Sequence, residues 1–166
     1  MEVYIVDTNF FIQAHRDTYP LDVAFSFWNK VKKLAIEGKI ISIDKVRNEI
    51  FDHNDILEHW CRENLPADFF KDTTEALEEY KQVIRWAASK NAHYSLNALN
   101  EFLDADEADA FLVAYALKDV PTRILVTQEV SQPERKSKVK IPEPCDFLHV
   151  RYIKVMEMFR ELGETF

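Results

Sequence analysis

Four acidic residues stand where a folded chain could bring carboxylates together: Asp7, Glu49, Asp109 and Glu129. Asp7 directly follows the apolar run Val3-Tyr4-Ile5-Val6, and Glu129 follows Arg123-Ile124-Leu125-Val126-Thr127 with one residue between. Glu49 comes just after a second apolar run ending at Ile43, and Asp109 opens the apolar stretch Ala110 to Leu117. Carboxylate oxygens suit magnesium or manganese, and no histidine or cysteine spacing here competes for zinc. Acids gathered in one crevice repel each other, and a divalent cation offsets that repulsion. The chemistry such a site serves is phosphodiester hydrolysis, where the cation activates water at neutral pH, aligns it and stabilises charge on the leaving oxygen.

Taken singly, each acid has a plainer alternative. Asp7 with Thr8 and Asn9 is equally well an Asx turn leaving a strand. Glu49, beside Val46 and Ile50, is equally a boundary glutamate with a wet carboxylate. Glu129 reads as easily as a loop acid. Asp109 is the most informative of the four. Its helix is apolar almost all round and must be buried. An aspartate flanked by Leu112, Val113 and Ala116 is costly there without a partner. A helix expected over Asp106 to Lys118 places Asp106 one turn earlier and about 60° around, so the two carboxylates are expected to be neighbours.

The elements that must position these acids alternate in type. Val3 to Val6, Lys39 to Ile43 and Arg123 to Thr127 read as buried strands. A helix is expected from about Asp22 to Glu37, stopped by Gly38, with Val23, Phe27, Val31 and Leu34 on its apolar face. Asp44 is expected to cap the next helix. About Asn54 to Leu103 reads as a helical insertion in at least two pieces, divided at Leu65-Pro66. Val139 to Ile141 is expected as a last short strand ended by Pro142 and Pro144, with Asp146 to Leu162 largely helical. The fold class is therefore α/β, a parallel sheet of about four to five short strands flanked by helices. In such sheets ligands bind outside the strands' carboxyl ends, where Asp7 and Glu129 fall.

The 166 residues fit one domain, 1–166, and 47% hydrophobic composition gives it a real core. Two glycines are too few for a Gly-rich phosphate loop. Net charge is −8, which argues against holding nucleic acid by a generally basic surface. The exception is a basic loop, Ser131 to Lys138, continuing to Lys140. Its Arg135, Lys136, Lys138 and Lys140 could grip a phosphate backbone; a solvated charge run is the alternative. Cys61 and Cys145 read as reduced thiols, and no signal or membrane span is evident, so a cytoplasmic location without membrane contact is expected.

In order and spacing, Ile5-Val6-Asp7-Thr8-Asn9, the early-helix Glu49, Asp109 to Ala116 and Leu125-Val126-Thr127-Gln128-Glu129 resemble the PIN-domain superfamily, which includes the VapC-type toxin ribonucleases. The resemblance implies a PIN-like fold and an endoribonuclease that uses Mg2+ or Mn2+ and cuts RNA. It implies Asp7, Glu49 and Asp109 as successive metal ligands, with Asp106 an additional candidate. Thr8, Asn9 and Thr127 would shape the site. Glu129 stands where the family usually has an aspartate, so the chain resembles a divergent branch. A toxin of this kind implies an antitoxin protein encoded nearby, whose Arg or Lys would enter the crevice; a homodimer is allowed by the sequence but not required. The competing reading is a catalytically weak PIN-like binding or assembly module. An aspartyl phosphatase fits poorly, because Asn9 stands where a second aspartate is needed.

Overall fold

The computed structural model describes Met1–Phe166. Five parallel strands form one sheet: β1 (Val3–Val6), β2 (Ile40–Ile43), β3 (Phe70–Lys71), β4 (Arg123–Val126) and β5 (Tyr152–Ile153), in the order β3-β2-β1-β4-β5. Tyr4, Ile5 and Val6 are all buried, as a central strand covered on both faces requires. β1 pairs in register with β4 from Val3–Arg123 to Val6–Val126, and with β2 through Tyr4–Ile40 and Ile5–Ile41. The order runs outward from β1 in both directions, so the connections reverse between β1 and β4. Open parallel sheets bind ligands at the carboxyl ends of the strands at such a reversal.

The helices are α1 (Thr8–Gln13), α2 (Phe25–Ile36), α3 (Asp44–Phe51), α4 (Ile56–Asn64), α5 (Leu77–Ser89), α6 (Leu96–Phe102), α7 (Asp109–Leu117), α8 (Pro142–Leu148) and α9 (Val155–Leu162). None is long and apolar enough to cross a membrane. α7 carries Asp109 and is buried from Ala110 through Ala116, as its all-round apolar sequence demands. It packs on α5, where Tyr80 stacks on Phe111 with ring centroids 4.1 Å apart.

Several expected boundaries move. The helix expected from Asp22 begins at Phe25, because the residues after Pro20 form a turn, and Val23 is 73% exposed instead of in the core. Asp44 is the first residue of α3, not its cap. Its carboxylate instead accepts from the Thr73 hydroxyl at 2.8 Å, tying α3 to the chain beyond β3. The middle of the chain is not a purely helical insertion, since Phe70–Lys71 pairs with β2 at the sheet edge. Val139 to Ile141 is buried at both ends but is not a strand. Pro142 opens α8 rather than ending an element, as proline's fixed φ allows in a first turn. The fifth strand is Tyr152–Ile153, inside the stretch expected to be helical. Asp106 lies in a turn before α7, not on it, so the expected helical neighbourhood with Asp109 does not form.

Leu112 is fully buried on α7. Leu112→Ala is expected to destabilise the fold by about 2–5 kcal/mol through lost burial and a residual cavity. Chemical denaturation with an unchanged m-value checks it.

Candidate active site

β1 ends at Val6, and the backbone turns directly into α1. Asp7 caps that helix, accepting the Phe10 N–H on Oδ1 at 2.9 Å. The cap fixes the carboxylate at the strand's carboxyl end, and it is 5% exposed. Across the reversal, Thr127 continues β4, and its Oγ1 accepts the Glu129 N–H at 3.1 Å. Glu49, one turn from the end of α3, joins two other segments. Its Oε2 accepts from the Thr8 hydroxyl and its Oε1 from the Ala108 N–H at 3.1 Å, just ahead of α7. Glu129 reaches forward along the basic loop. Its Oε2 accepts the Ile141 N–H at 2.7 Å, and its Oε1 lies 3.8 Å from Lys138 Nζ.

These side chains line one crevice of about 420 Å3. Seven of its twelve lining residues are acidic, including all four predicted acids, and Lys138 is its one lysine or arginine. A smaller adjoining cavity of about 220 Å3 shares Asp7, Asn9 and Glu129 and brings in Lys140. A larger cavity of about 500 Å3 lies elsewhere, lined by Trp86, Tyr94 and Phe147 with only Glu143 and Asp146 as acids. The convergence of carboxylates, rather than volume, singles out the first.

The electrostatics follow from burial and crowding. Burial pushes the Asp7 carboxyl up to about 6; the Phe10 N–H and Thr127 hydroxyl oppose this, and Glu129 and Glu49 add to it. Asp109 is pushed up to about 7, first by burial and then by Glu129 and Asp7, with the Lys138 charge pulling the other way. Glu107 is raised by burial and by Glu49. Hard oxygen donors whose burial, and then repulsion, raises their proton affinity are the chemistry a divalent cation fits. As placed, no three of these groups close around a single ion-sized point. Both oxygens of Glu49 accept hydrogen bonds from the chain, and Glu129 accepts the Ile141 N–H while lying 3.8 Å from Lys138 Nζ.

The structure thus brings together Asp7, Glu49, Asp109 and Glu129, with Thr8, Asn9, Thr127, Lys138 and Lys140 around them. It leaves out Asp106, which is exposed in its turn. Arg135 and Lys136 are also exposed and do not line the crevice. Four polar crevice residues were not anticipated. Asp52 and His53 lie just past the end of α3, within four residues of Glu49, and reach the same crevice. Glu107 precedes Asp109 by two. Glu101, on α6, carries no local signal, because only tertiary packing brings that helix to the crevice.

The raised values set a pH dependence for the metal-free protein. A carboxyl whose folded value lies above its unfolded one stabilises the fold fully below about pH 4, and that contribution is lost as pH rises through 6–7. Asp7→Asn and Asp109→Asn are each expected to be about 1–3 kcal/mol more stable than wild type at pH 8, with the gap closing by about pH 4. The double variant should gain less than the sum, since Asp7 contributes to the shift of Asp109. Thermal melts across pH in chelator read both effects.

No curated protein matches the chain. Residues 4–166 match the family described as a domain of unknown function, DUF4411. The match covers nearly all of the sequence, and the chain belongs to the DUF4411 family.

Proposed function

We propose that this protein is a divalent-metal-dependent endoribonuclease. The observation that carries the reading is the convergence of Asp7, Glu49, Asp109 and Glu129 in one crevice at the strand-order reversal. The resemblance of the same four segments to PIN-domain ribonucleases names RNA as the polymer.

Asp7 and Asp109 would hold a magnesium or manganese ion, since both carboxylates are withdrawn from water beside further acids and both have a raised proton affinity. When bound, the ion supplies activation of the attacking water and charge neutralisation at the phosphate. Glu49 braces the crevice by joining Thr8, next to Asp7, to Ala108, next to Asp109. Asn9 and Thr127 shape the wall beside Asp7. Lys140 and Lys138, at the crevice wall, offer positive charge to the substrate backbone; Arg135 and Lys136, further out, offer it along the approach. Water attacks phosphorus, one P–O ester bond breaks, and the leaving oxygen takes a proton. An antitoxin-like partner would answer the same excess of negative charge by placing an arginine among these acids, whose planar fork suits a carboxylate.

A second reading has its own observation. Glu129 is fully engaged by Ile141 and Lys138, and no three donors close on one point, which favours a binding module of weak catalytic power. Cleavage assays separate the two. Single-stranded RNA should be cut with Mg2+ or Mn2+, poorly with Ca2+, and not in excess chelator. Asp7→Asn and Asp109→Asn should each lower the rate by about 100-fold or more. Metal binding without cleavage of any RNA would select the binding module. Full cleavage in chelator would end the metal reading.

A further inference from the structure

We propose that the cavity of about 500 Å3 beside the basic loop is a nucleobase subsite, which takes a guanine next to the phosphate held at the acidic crevice. The inference rests on the ribonuclease reading and gives it a base preference.

Position is the first argument. Gln132 lines the small cavity that contains Asp7, whereas its neighbours Ser131 and Pro133 line the large one. One short stretch of chain therefore borders both. That stretch is held, since Glu143 Oε1 accepts the Gln132 N–H at 2.6 Å and the Ser131 hydroxyl at 3.1 Å. Further along, the His93 ring meets the Arg135 carbonyl at 3.2 Å, and the Ser95 N–H donates to the Lys136 carbonyl at 2.9 Å. These bonds bring the backbone of two exposed basic residues beside His93 and Tyr94, which line the large cavity. An RNA strand crossing the loop from one cavity to the other meets positive charge there.

Chemistry is the second argument. Trp86 and Tyr94 line the cavity and are buried, but Phe147 in the same lining is 62% exposed. An aromatic ring left in water beside a cavity is a platform for an unstacked base. The volume lies in the range of small-ligand sites and has room for a base with its ribose. The polar groups select the base. Glu143 and Asp146 put carboxylates into the lining, and Glu143 Oε2 is buried without a hydrogen-bond partner, so the wall contains an acceptor that the chain leaves unmet. Guanine presents two adjacent N–H donors on its Watson–Crick edge, the match to a carboxylate. Uracil presents one N–H between two carbonyl oxygens, which a carboxylate repels. Glu143 is committed to holding the loop, so the exposed Asp146 is the group that reads the edge. Lys90, also in the lining, supplies a cation for the nucleotide's phosphate.

Nuclear magnetic resonance titration of the full-length chain in chelator tests this, with guanosine and uridine 5′-monophosphates as probes. The guanosine nucleotide should shift the Trp86 indole N–H and the Phe147 amide, and bind at least about tenfold tighter than the uridine nucleotide. Phe147→Ala should weaken guanosine binding about tenfold, and Phe147→Tyr should restore it. Asp146→Asn should remove the preference between the two nucleotides. Both side chains are exposed, so thermal melts should show these variants folded as wild type is. Equal affinity for the two probes, shifts confined to Asp7 and Lys140, or guanosine binding unchanged in Phe147→Ala would each overturn the proposal. A cleavage arm separates it from the ribonuclease reading. Uridine-rich single-stranded RNA with one guanosine should be cut beside that guanosine, and Phe147→Ala should lose the preference. Cleavage without regard to the guanosine ends the subsite and leaves the nuclease standing. Guanosine-selective binding with no cleavage of any RNA keeps the subsite and ends the nuclease reading.

Discussion

Like charges gathered at the carboxyl edge of the sheet must be held against their own repulsion, and much of the chain's polar structure does that. Three backbone N–H groups from three separate segments, those of Phe10, Ala108 and Ile141, each donate to a different crevice carboxylate. Each of these bonds is also a tie. Asp7 caps α1, Glu49 bridges α1 to α7, and Glu129 closes the basic loop. A charged carboxylate out of water is costly unless it is hydrogen-bonded. Asp7 and Asp109, withdrawn furthest from water, are those whose proton affinity rises most. The site is thus a local destabilisation carried by the rest of the fold.

What carries it is the packing beneath. β1, with its three consecutive fully buried residues, and α7, apolar around its whole circumference, leave no freedom for the residues at their ends. A helix with one apolar stripe could roll to bring an acid into water. α7 cannot, because Leu112, Val113 and Ala116 are buried on every side of it. The strand order then supplies the opening, since connections leave β1 and β4 in opposite directions.

The segment from Thr127 to Ile141 has no helix or strand of its own, yet it is tied along its length. The Gln132 N–H and Ser131 hydroxyl donate to Glu143, the Ser95 N–H donates to the Lys136 carbonyl, and Glu129 takes the Ile141 N–H. Long loops without regular structure that are nonetheless held in place commonly carry function. Here the holding contacts separate the basic residues into two groups. Lys138 and Lys140 turn toward the acids, and Arg135 and Lys136 stay in solvent. Composition treats the four as one cluster; the backbone ties divide them.

The sequence by itself determined the α/β class, the three central strands, the burial of α7 and the gathering of Asp7, Glu49, Asp109 and Glu129. Each of these follows from local patterning. An unbroken apolar run of four is a buried strand in a parallel sheet, and a residue just after such a run lies at the sheet's edge. Tertiary structure decided the rest. β3 and β5 have only two residues each, too short for any period, and exist because a neighbouring strand offers its hydrogen bonds. Val139 and Ile141 looked like a strand because they are buried and β-branched, but the edge beyond β4 is taken by Tyr152–Ile153. Asp106 looked like a ligand because a helix was extended back through it, whereas the turn at 104–107 points it into water. Glu101 reached the crevice with no local mark at all. Spacing along a chain fixes neighbours only within one element. Which elements face each other is set by how their apolar surfaces pack, and no residue near Glu101 encodes that alone.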